Sequence, residues 1–331
     1  MISTPDFLQR PGPILDVRSP GEYAQGHLPG ARSLPLFTDE ERAEVGTCYK
    51  RQGRDAAVEL GLALVGPKLV TFAQQAKAWA GEAESCGQVR VHCWRGGMRS
   101  SSMAWLLETA GLSPVVLKGG YKAFRRWVRH SLSQQKPILT LGGMTGTGKT
   151  QVLTALAKQG EQVLDLEGLA HHRGSSYGSL GLPPQPTTEQ FENRIAACWS
   201  SFTPQRPVWI EAESSRVGAC RVPDELFTQM MQAPVVQITR SPAERIQLLT
   251  AEYGQADPEA LIAATQRIRK RLGGQRTQEA IAAIEQGDLA TAIGLVLFYY
   301  DKTYRYDLEQ RQPPLHTLEV TGLDAQQAAQ R

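Results

Sequence analysis

Two short stretches hold residue types whose spacing can do chemistry. The first is VHCWRGGMRSS, Val91 to Ser101. A thiol attacks only as the thiolate, and a free cysteine ionises at a pKa of about 8.5. Cys93 follows a short apolar run and precedes Trp94, Arg95, Gly96, Gly97, Met98 and Arg99, with a helical pattern from Ser100 to Leu107. Glycines at 96 and 97 let the chain aim backbone N–H groups inward. The start of a helix adds positive potential. Arg95 contributes charge, and the fork of Arg99 suits a tetrahedral oxyanion. The expected object is a nucleophilic Cys93 in an anion-binding cup. A buried structural cysteine is the plainer alternative, but it leaves two glycines and two arginines without a purpose. Cys48, Cys86, Cys198 and Cys220 lack such surroundings and read as structural.

The second stretch, GMTGTGKT from Gly143 to Thr150, fits G-x-x-x-x-G-K-[ST]. An apolar run at Ile138–Gly142 precedes it and a helical pattern at Gln151–Lys158 follows, the context of a P-loop. Amides around Gly143, Gly146 and Gly148 would wrap a diphosphate. Lys149 would reach its terminal oxygens, and Thr150 would help hold Mg²⁺. Such a loop implies polyphosphate binding, which need not mean ATP. Asp165 and Glu167 follow one later strand candidate, and Glu211 and Glu213 another. Glu211, slightly ahead of Asp165, is the expected Mg²⁺-organising carboxylate; solvated strand ends are the alternative.

The elements that must position these loops alternate between short β runs and helical patterns, which argues an α/β fold. Strands are expected at Ile14–Val17, Val89–His92 and Pro114–Leu117, then at Ile138–Gly142, Gln162–Leu166, Val208–Glu211, Val235–Thr239 and Thr317–Val320. A helical, arginine-rich region fills Ala256 to Arg311. The polar stretch SLSQQKP, Ser131 to Pro137, marks a break. With 331 residues the chain suggests two domains, 1–133 and 134–331. The sequence shows no apolar run long enough for a bilayer and no signal-peptide profile, so a cytoplasmic protein is expected. Five irregularly spaced cysteines, with no CxxC, argue against a disulfide framework or a structural metal site. A net charge of only +3 means that nucleic-acid binding must come from local patches. Nothing demands more than a monomer.

Two such patches exist. Lys118, Lys122, Arg125, Arg126 and Arg129 surround a helix whose apolar side is Tyr121, Phe124 and Val128. In QRIRKRLGGQR, helical spacing puts Arg267, Lys270 and Arg271 on one face, over a stripe of Leu261, Ala264, Ile268 and Leu272; Arg276 follows. Either patch alone is as readily a solvated face; together they favour RNA. Leu297–Tyr306 offers aromatics that can stack on bases or pack a core. LEGLAHHRGSSYG brings His171, His172 and Arg173 after a strand. No third metal ligand accompanies them, so a loop closing over phosphate or RNA is expected, with a plain surface turn as the alternative.

Leu15 to Leu36, with Asp16, Arg18, Glu22, Tyr23, His27, Pro29, Gly30 and Ala31, resembles the first signature of the rhodanese superfamily. With Cys93 and LKGGYKAF (Leu117–Phe124), the resemblance covers about the first 130 residues. It implies a rhodanese-like domain ahead of a P-loop, kinase-like α/β domain with a helical C-terminal region. Rhodanese-like loops carry sulfur or selenium; the few phosphatase relatives have five residues between cysteine and arginine, as here. The order of domains, with CWRGGMRS, GGMTGTGKT and DLEGLAHHRGSSYG, resembles the bacterial tRNA 2-selenouridine synthase family over nearly the whole chain. That resemblance implies wobble 2-thiouridine of the tRNAs for Lys, Glu and Gln as substrate. Geranyl diphosphate would geranylate the sulfur, and selenium from selenophosphate would then replace the S-geranyl group, with Cys93 as a selanylcysteine intermediate. The P-loop reading adds Mg²⁺ as the expected cofactor; no tightly bound organic cofactor is expected, and a selenophosphate-producing enzyme is the expected partner. The rivals are a Cys93/Arg99 phosphatase, a non-catalytic tRNA-binding or sulfur-relay adaptor, and a nucleoside-kinase-like enzyme suggested by TRSPAERIQLL (Thr239–Leu249).

Overall fold

The structure, a computed structural model, describes residues 1–83, 85–309 and 315–331. It divides into two compact units, Met1–Ser131 and Leu132–Arg331. The division falls inside the Gly120–Ser133 helix, so the start of the expected polar break is helical.

The first unit is a parallel sheet of β1 (Ile14–Asp16), β2 (Ala31–Ser33), β3 (Gln88–His92) and β4 (Ser113–Val116), in the order β2-β1-β3-β4. Leu15, Val17, Val89 and Val91 pack with Phe72, Ala76 and Ala80 of the Leu69–Glu82 helix and with Met103 and Leu107 of the Met98–Thr109 helix. Strand β2, Ala-Arg-Ser, has no apolar run and is not among the strands expected from sequence. One expectation is corrected. Arg54–Glu82 forms a 29-residue helical run that is long and apolar enough to cross a membrane, by length and composition. Pro67 interrupts the apolar pattern in the sequence but not the helical path, because proline is tolerated in the first turn of a helix. Phe72, Ala76 and Ala80 seat the run on the sheet, while Leu62 and Val70 are exposed.

Behind the cysteine loop lies a buried ion pair. Arg18 Nη2 donates to Asp16 Oδ2 at 2.6 Å and to Gly26 O at 2.7 Å, and neither charged side chain is exposed. The guanidinium also sits 3.7 Å from the centre of the Tyr121 ring. His92 lies opposite Asp16 in register, with Nε2 3.6 Å from Oδ2. Burial pushes the Asp16 carboxyl up, but His92 and the Arg18 fork outweigh it and hold it below its ordinary value. Burial pulls the His92 imidazole down to about 4.

The second unit holds β5 (Ile138–Gly142), β6 (Gln162–Leu164), β7 (Val208–Glu211), a hairpin of β8 (Arg216–Val217) and β9 (Cys220–Arg221), β10 (Val235–Thr239) and β11 (Leu315–Glu319). Five of these strands form a parallel sheet in the order β11-β10-β5-β7-β6. The chain leaves central β5 for one side of the sheet and returns on the other. The end of β5 is therefore a topological switch point, where such sheets leave a crevice. The expected helical region is four helices, Pro258–Arg267, Arg269–Leu272, Gly274–Glu285 and Leu289–Glu309; residues 310 and 311 lie outside the described residues. Leu261, Ala264, Ile268 and Leu272 are buried as their spacing predicts. The helix nevertheless breaks at Ile268 (φ −95°, ψ 4°), so Arg267 and the Lys270–Arg271 pair do not share one helical face.

Asp16→Asn leaves Arg18 buried without its counter-charge and should cost about 3–5 kcal/mol in chemical denaturation. The unfolded chain protonates His92 near pH 6.5, whereas the folded chain resists until about 4. Stability should thus be full above pH 6.5 and fall by roughly 1.4 kcal/mol per unit as pH drops toward 4. His92→Phe should flatten that slope, and denaturant titrations across the window will show whether it does.

Candidate functional site

Cys93 directly follows β3 with its side chain buried, and the Met98–Thr109 helix begins five residues later. Its Sγ lies 3.3 Å from Ser100 Oγ and accepts from the backbone N–H groups of Arg95, Gly97 and Ser100. Burial alone pushes the thiol up; the hydroxyl and the three amides outweigh it and hold the thiol below its ordinary value. The loop is propped from beneath by the LKGGYKAF segment. Tyr121 N donates to Cys93 O at 2.8 Å and Lys122 N to Trp94 O at 3.0 Å. A Cβ on Gly120 would stand 2.3 Å from Cys93 O, and one on Gly96 (φ 66°) would stand 2.7 Å from Leu117 O, so both must be glycine. Gly97 differs from expectation. Its φ is −106°, and its amide faces the sulfur without left-handed backbone.

Arg99 is the second departure. Its Nη1 donates to Glu22 Oε2 at 2.8 Å, and Arg42 Nε lies 3.0 Å from the same oxygen. The fork expected to grip an oxyanion is engaged by a carboxylate. Glu22 also caps its own helix through Ser19. Burial pushes the Glu22 carboxyl up, and Arg99, Ser19 and Arg42 together hold it below its ordinary value. Arg95 is exposed, and Trp94 and Met98, 37% and 53% exposed, give the cup an apolar lip.

At the end of β5 the Gly143–Thr150 loop opens on a crevice with about 1510 Å³ of open space, lined by Lys149, Thr150, Glu167, Glu213, Arg173 and Arg271 among others. Lys149 Nζ donates to Gly143 O at 3.0 Å. Thr150 Oγ1 lies 3.0 Å from Glu167 Oε2 and 3.1 Å from Glu211 Oε1. Burial, then Glu213, push Glu167 up to about 7. Burial and the Glu167 and Glu213 charges push Glu211 well above its ordinary value. Glu211 Oε2 is buried with no hydrogen-bond partner. An orphaned carboxylate oxygen among like charges, beside a P-loop threonine, fits a divalent cation held by Thr150, Glu167 and Glu211. Asp165 is corrected: it caps the Leu166–Ala170 helix, accepting from Gly168 N at 2.7 Å, and Glu167 stands in the place assigned to it.

The remaining candidates separate. His171 Nδ1 lies 2.9 Å from Pro184 O and its Nε2 3.1 Å from Arg194 Nη1, so the ring is committed to the fold rather than to RNA or phosphate. Nδ1 of His172 is buried without a partner. Arg173 pairs with Glu252 at 2.7 Å on the crevice wall. Arg267 Nη2 donates to Ser176 O, Arg271 bonds Tyr299 Oη at 3.0 Å in the crevice, and Arg276 stacks 3.9 Å from the centre of the Phe298 ring. Lys270 is exposed. Tyr300 gives its hydroxyl to the fold, accepting from Ser176 N, so the base-stacking expectation loses that residue; the Tyr306 side chain lies outside the described residues. Lys122, Arg126 and Arg129 are exposed and Arg125 half-buried, with Tyr121, Phe124 and Val128 buried opposite.

Three residues that support the candidate sites have no role in the sequence reading. Ser100 was visible as the residue after Arg99 but was read only as a helix start. Arg240 Nε donates to Thr147 O at 3.2 Å and Arg245 Nε to Thr145 O at 2.8 Å, so the TRSPAERIQLL segment clamps the phosphate loop. Arg245, almost fully buried, is itself held by Asp301 at 2.5 Å.

Ser100→Ala removes the hydroxyl beside Cys93 Sγ and should raise the thiol pKa. The pH dependence of iodoacetamide alkylation at Cys93 reads this directly; an unmoved profile would mean that the amides alone set it.

Residues 3–127 match the rhodanese-like domain family, and residues 136–322 match the family described as the tRNA 2-selenouridine synthase AAA domain. Among curated relatives, the tRNA 2-selenouridine synthase of Marinobacter nauticus is 36% identical, over 91% of this chain and 89% of the relative. That of Bordetella bronchiseptica is 38% identical over 94% and 91%, and that of Salmonella typhi 38% over 90% of each. With both sites in place and this likeness running through both units, the chain belongs to the tRNA 2-selenouridine synthase family.

Proposed function

We propose that this enzyme converts wobble 2-thiouridine to 2-selenouridine in the cytoplasmic tRNAs for Lys, Glu and Gln, by two transfers. In the first, the thio sulfur of the base attacks C1 of geranyl diphosphate. The S–C bond forms as the C1–O bond breaks, diphosphate leaves and N3 loses its proton. The P-loop amides and Lys149 hold the diphosphate as charge builds on it. A divalent cation at Thr150, Glu167 and Glu211 would supply Lewis-acid stabilisation of that leaving group. Geranylation turns a poor leaving group into a geranylthiolate.

In the second transfer the selenium of selenophosphate attacks C2, the C2–S bond breaks and the geranylthiolate departs and takes up a proton. The base then carries a Se–P bond. Cys93 thiolate attacks that phosphorus, selenium stays on the base, and water hydrolyses the phosphocysteine to phosphate. Every atom keeps its oxidation level. Carriage of selenium on Cys93, the selanylcysteine implied by the resemblance, needs a redox partner that neither substrate supplies: a two-electron oxidant if phosphate leaves, or, if phosphite leaves, a two-electron reductant to return selenium to the selenide level on C2. The observation that carries this reading is the Cys93 sulfur facing three loop amides and Ser100 Oγ, donors that suit a tetrahedral oxyanion. Exposed Lys122, Arg126 and Arg129 offer phosphate contacts to the tRNA. A selenophosphate-producing enzyme is the expected supplier.

Nucleoside mass spectrometry of a 2-thiouridine tRNA, incubated with Mg²⁺, geranyl diphosphate and then selenophosphate, tests the scheme. Wild type should yield 2-selenouridine. Cys93→Ala should stop at the S-geranyl or Se-phosphate stage, and Lys149→Ala should leave 2-thiouridine. Quenched wild-type enzyme should carry phosphorus on Cys93; selenium there would overturn the phosphoryl route. A requirement for ATP turnover in geranylation would overturn the P-loop assignment, and an unchanged base with folded enzyme would sink the reading.

A further inference from the structure

Next to the phosphate loop, within the second unit, a narrow apolar slot runs between the Pro242–Tyr253, Pro258–Arg267, Gly274–Glu285 and Leu289–Glu309 helices. Its walls include Leu249, Leu261, Ile284, Leu289, Ile293 and Val296. Thr145, Ser175, Leu249, Tyr253 and Tyr300 line both this slot and the P-loop crevice, so the two spaces adjoin. The join is tight. A Cβ placed on Gly146 would stand 2.9 Å from Leu249 Cδ1, so the P-loop backbone and the slot wall are in direct contact.

Two tyrosine hydroxyls beside this join are already committed. Tyr300 Oη accepts from Ser176 N at 2.8 Å, and Tyr177 Oη lies 2.7 Å from Thr265 Oγ1. The tyrosines therefore present ring faces to the slot and spend their hydroxyls on the fold. A base and ribose need hydrogen-bond partners, and burial without them is costly. These walls suit a hydrocarbon chain instead, with a diphosphate at its mouth. We propose that the slot is the prenyl-chain subsite, receiving the ten-carbon tail of geranyl diphosphate while the P-loop holds its head. This rests on the reading that the P-loop takes geranyl diphosphate. As it stands the slot holds only about 30 Å³, room for a water or two, so admitting the ten-carbon chain requires it to open through rotamer changes among Leu249, Leu289 and Ile293. It also places C1 of the chain at the shared rim of Thr145 and Ser175, where the base sulfur must arrive.

The test is calorimetry on the full chain with Mg²⁺, using geranyl diphosphate and inorganic diphosphate as the two probes. The readout is the ratio of their dissociation constants. Wild type should bind geranyl diphosphate at least tenfold more tightly than diphosphate. Ile293→Asp should bring the ratio close to one, and Ile293→Met should restore it. Should Ile293→Asp melt early, Ile293→Ala removes only apolar area and should lower the ratio several-fold. A wild-type ratio near one, or an unchanged ratio in every folded variant, overturns the subsite. The tRNA geranylation assay runs alongside. Loss of the ratio on substitution with no S-geranyl tRNA from wild type would keep the slot and remove the reaction. S-geranyl tRNA made with an unaltered ratio would do the reverse.

Discussion

Both candidate sites depend on backbone N–H groups left without a backbone acceptor. At the end of a parallel strand the chain leaves its ladder, and at the start of a helix the first amides have no carbonyl to bond. Cys93 and the Gly143–Thr150 loop each occupy such a junction, β3 to helix in one unit and β5 to helix in the other. At Cys93 the freed amides converge on a sulfur and hold its thiol low. In the P-loop they line an anion cradle. The rest of each unit can be understood as what keeps those amides aimed.

The supports differ. Under the cysteine loop the pressure is backbone on backbone, since Gly96 and Gly120 admit carbonyls and amides at distances no side chain would allow. Beneath that lies the Asp16–Arg18 pair, whose geometry is fixed by Gly26 and the Tyr121 ring. The phosphate loop is clamped instead by side chains, Arg240 and Arg245 donating to Thr147 and Thr145 carbonyls. A buried arginine needs a counter-charge, and Asp301 supplies it from the Leu289–Glu309 helix. The helical region thus both anchors the P-loop and forms the slot beside it.

Charge is used differently in the two sites. Around Cys93 the donors outweigh burial, and the thiol falls. Around Thr150 three carboxylates crowd together with burial, and Glu167 and Glu211 rise. Such crowding is unfavourable unless a cation or protons relieve it. Lys149 offsets only part of it.

The sequence by itself determined the P-loop motif, the α/β class and most strands, and singled out the candidate nucleophile, because these rest on local chemistry: a glycine-rich turn, an alternation, a strand followed by a helix. Cys93, Lys149 and Thr150 could be named from neighbours within eight positions. It could not assign Arg99 to Glu22, 77 residues away in sequence, or Arg245 to the loop carbonyl of Thr145, 100 residues away. It keeps Asp165 as a second candidate behind Glu211 because capping and ligation both ask for a carboxylate after a strand. The Arg267–Arg271 face failed because helical periodicity assumes an unbroken helix, and the chain turns at Ile268. Strand β2 escaped because Ala31, Arg32 and Ser33 offer no apolar run, unlike the equally short β1 (ILD) and β6 (QVL). The slot was invisible for a related reason. Its walls come from four helices whose apolar stripes look like ordinary core, and only tertiary packing decides whether such stripes meet fully or leave room beside a phosphate loop.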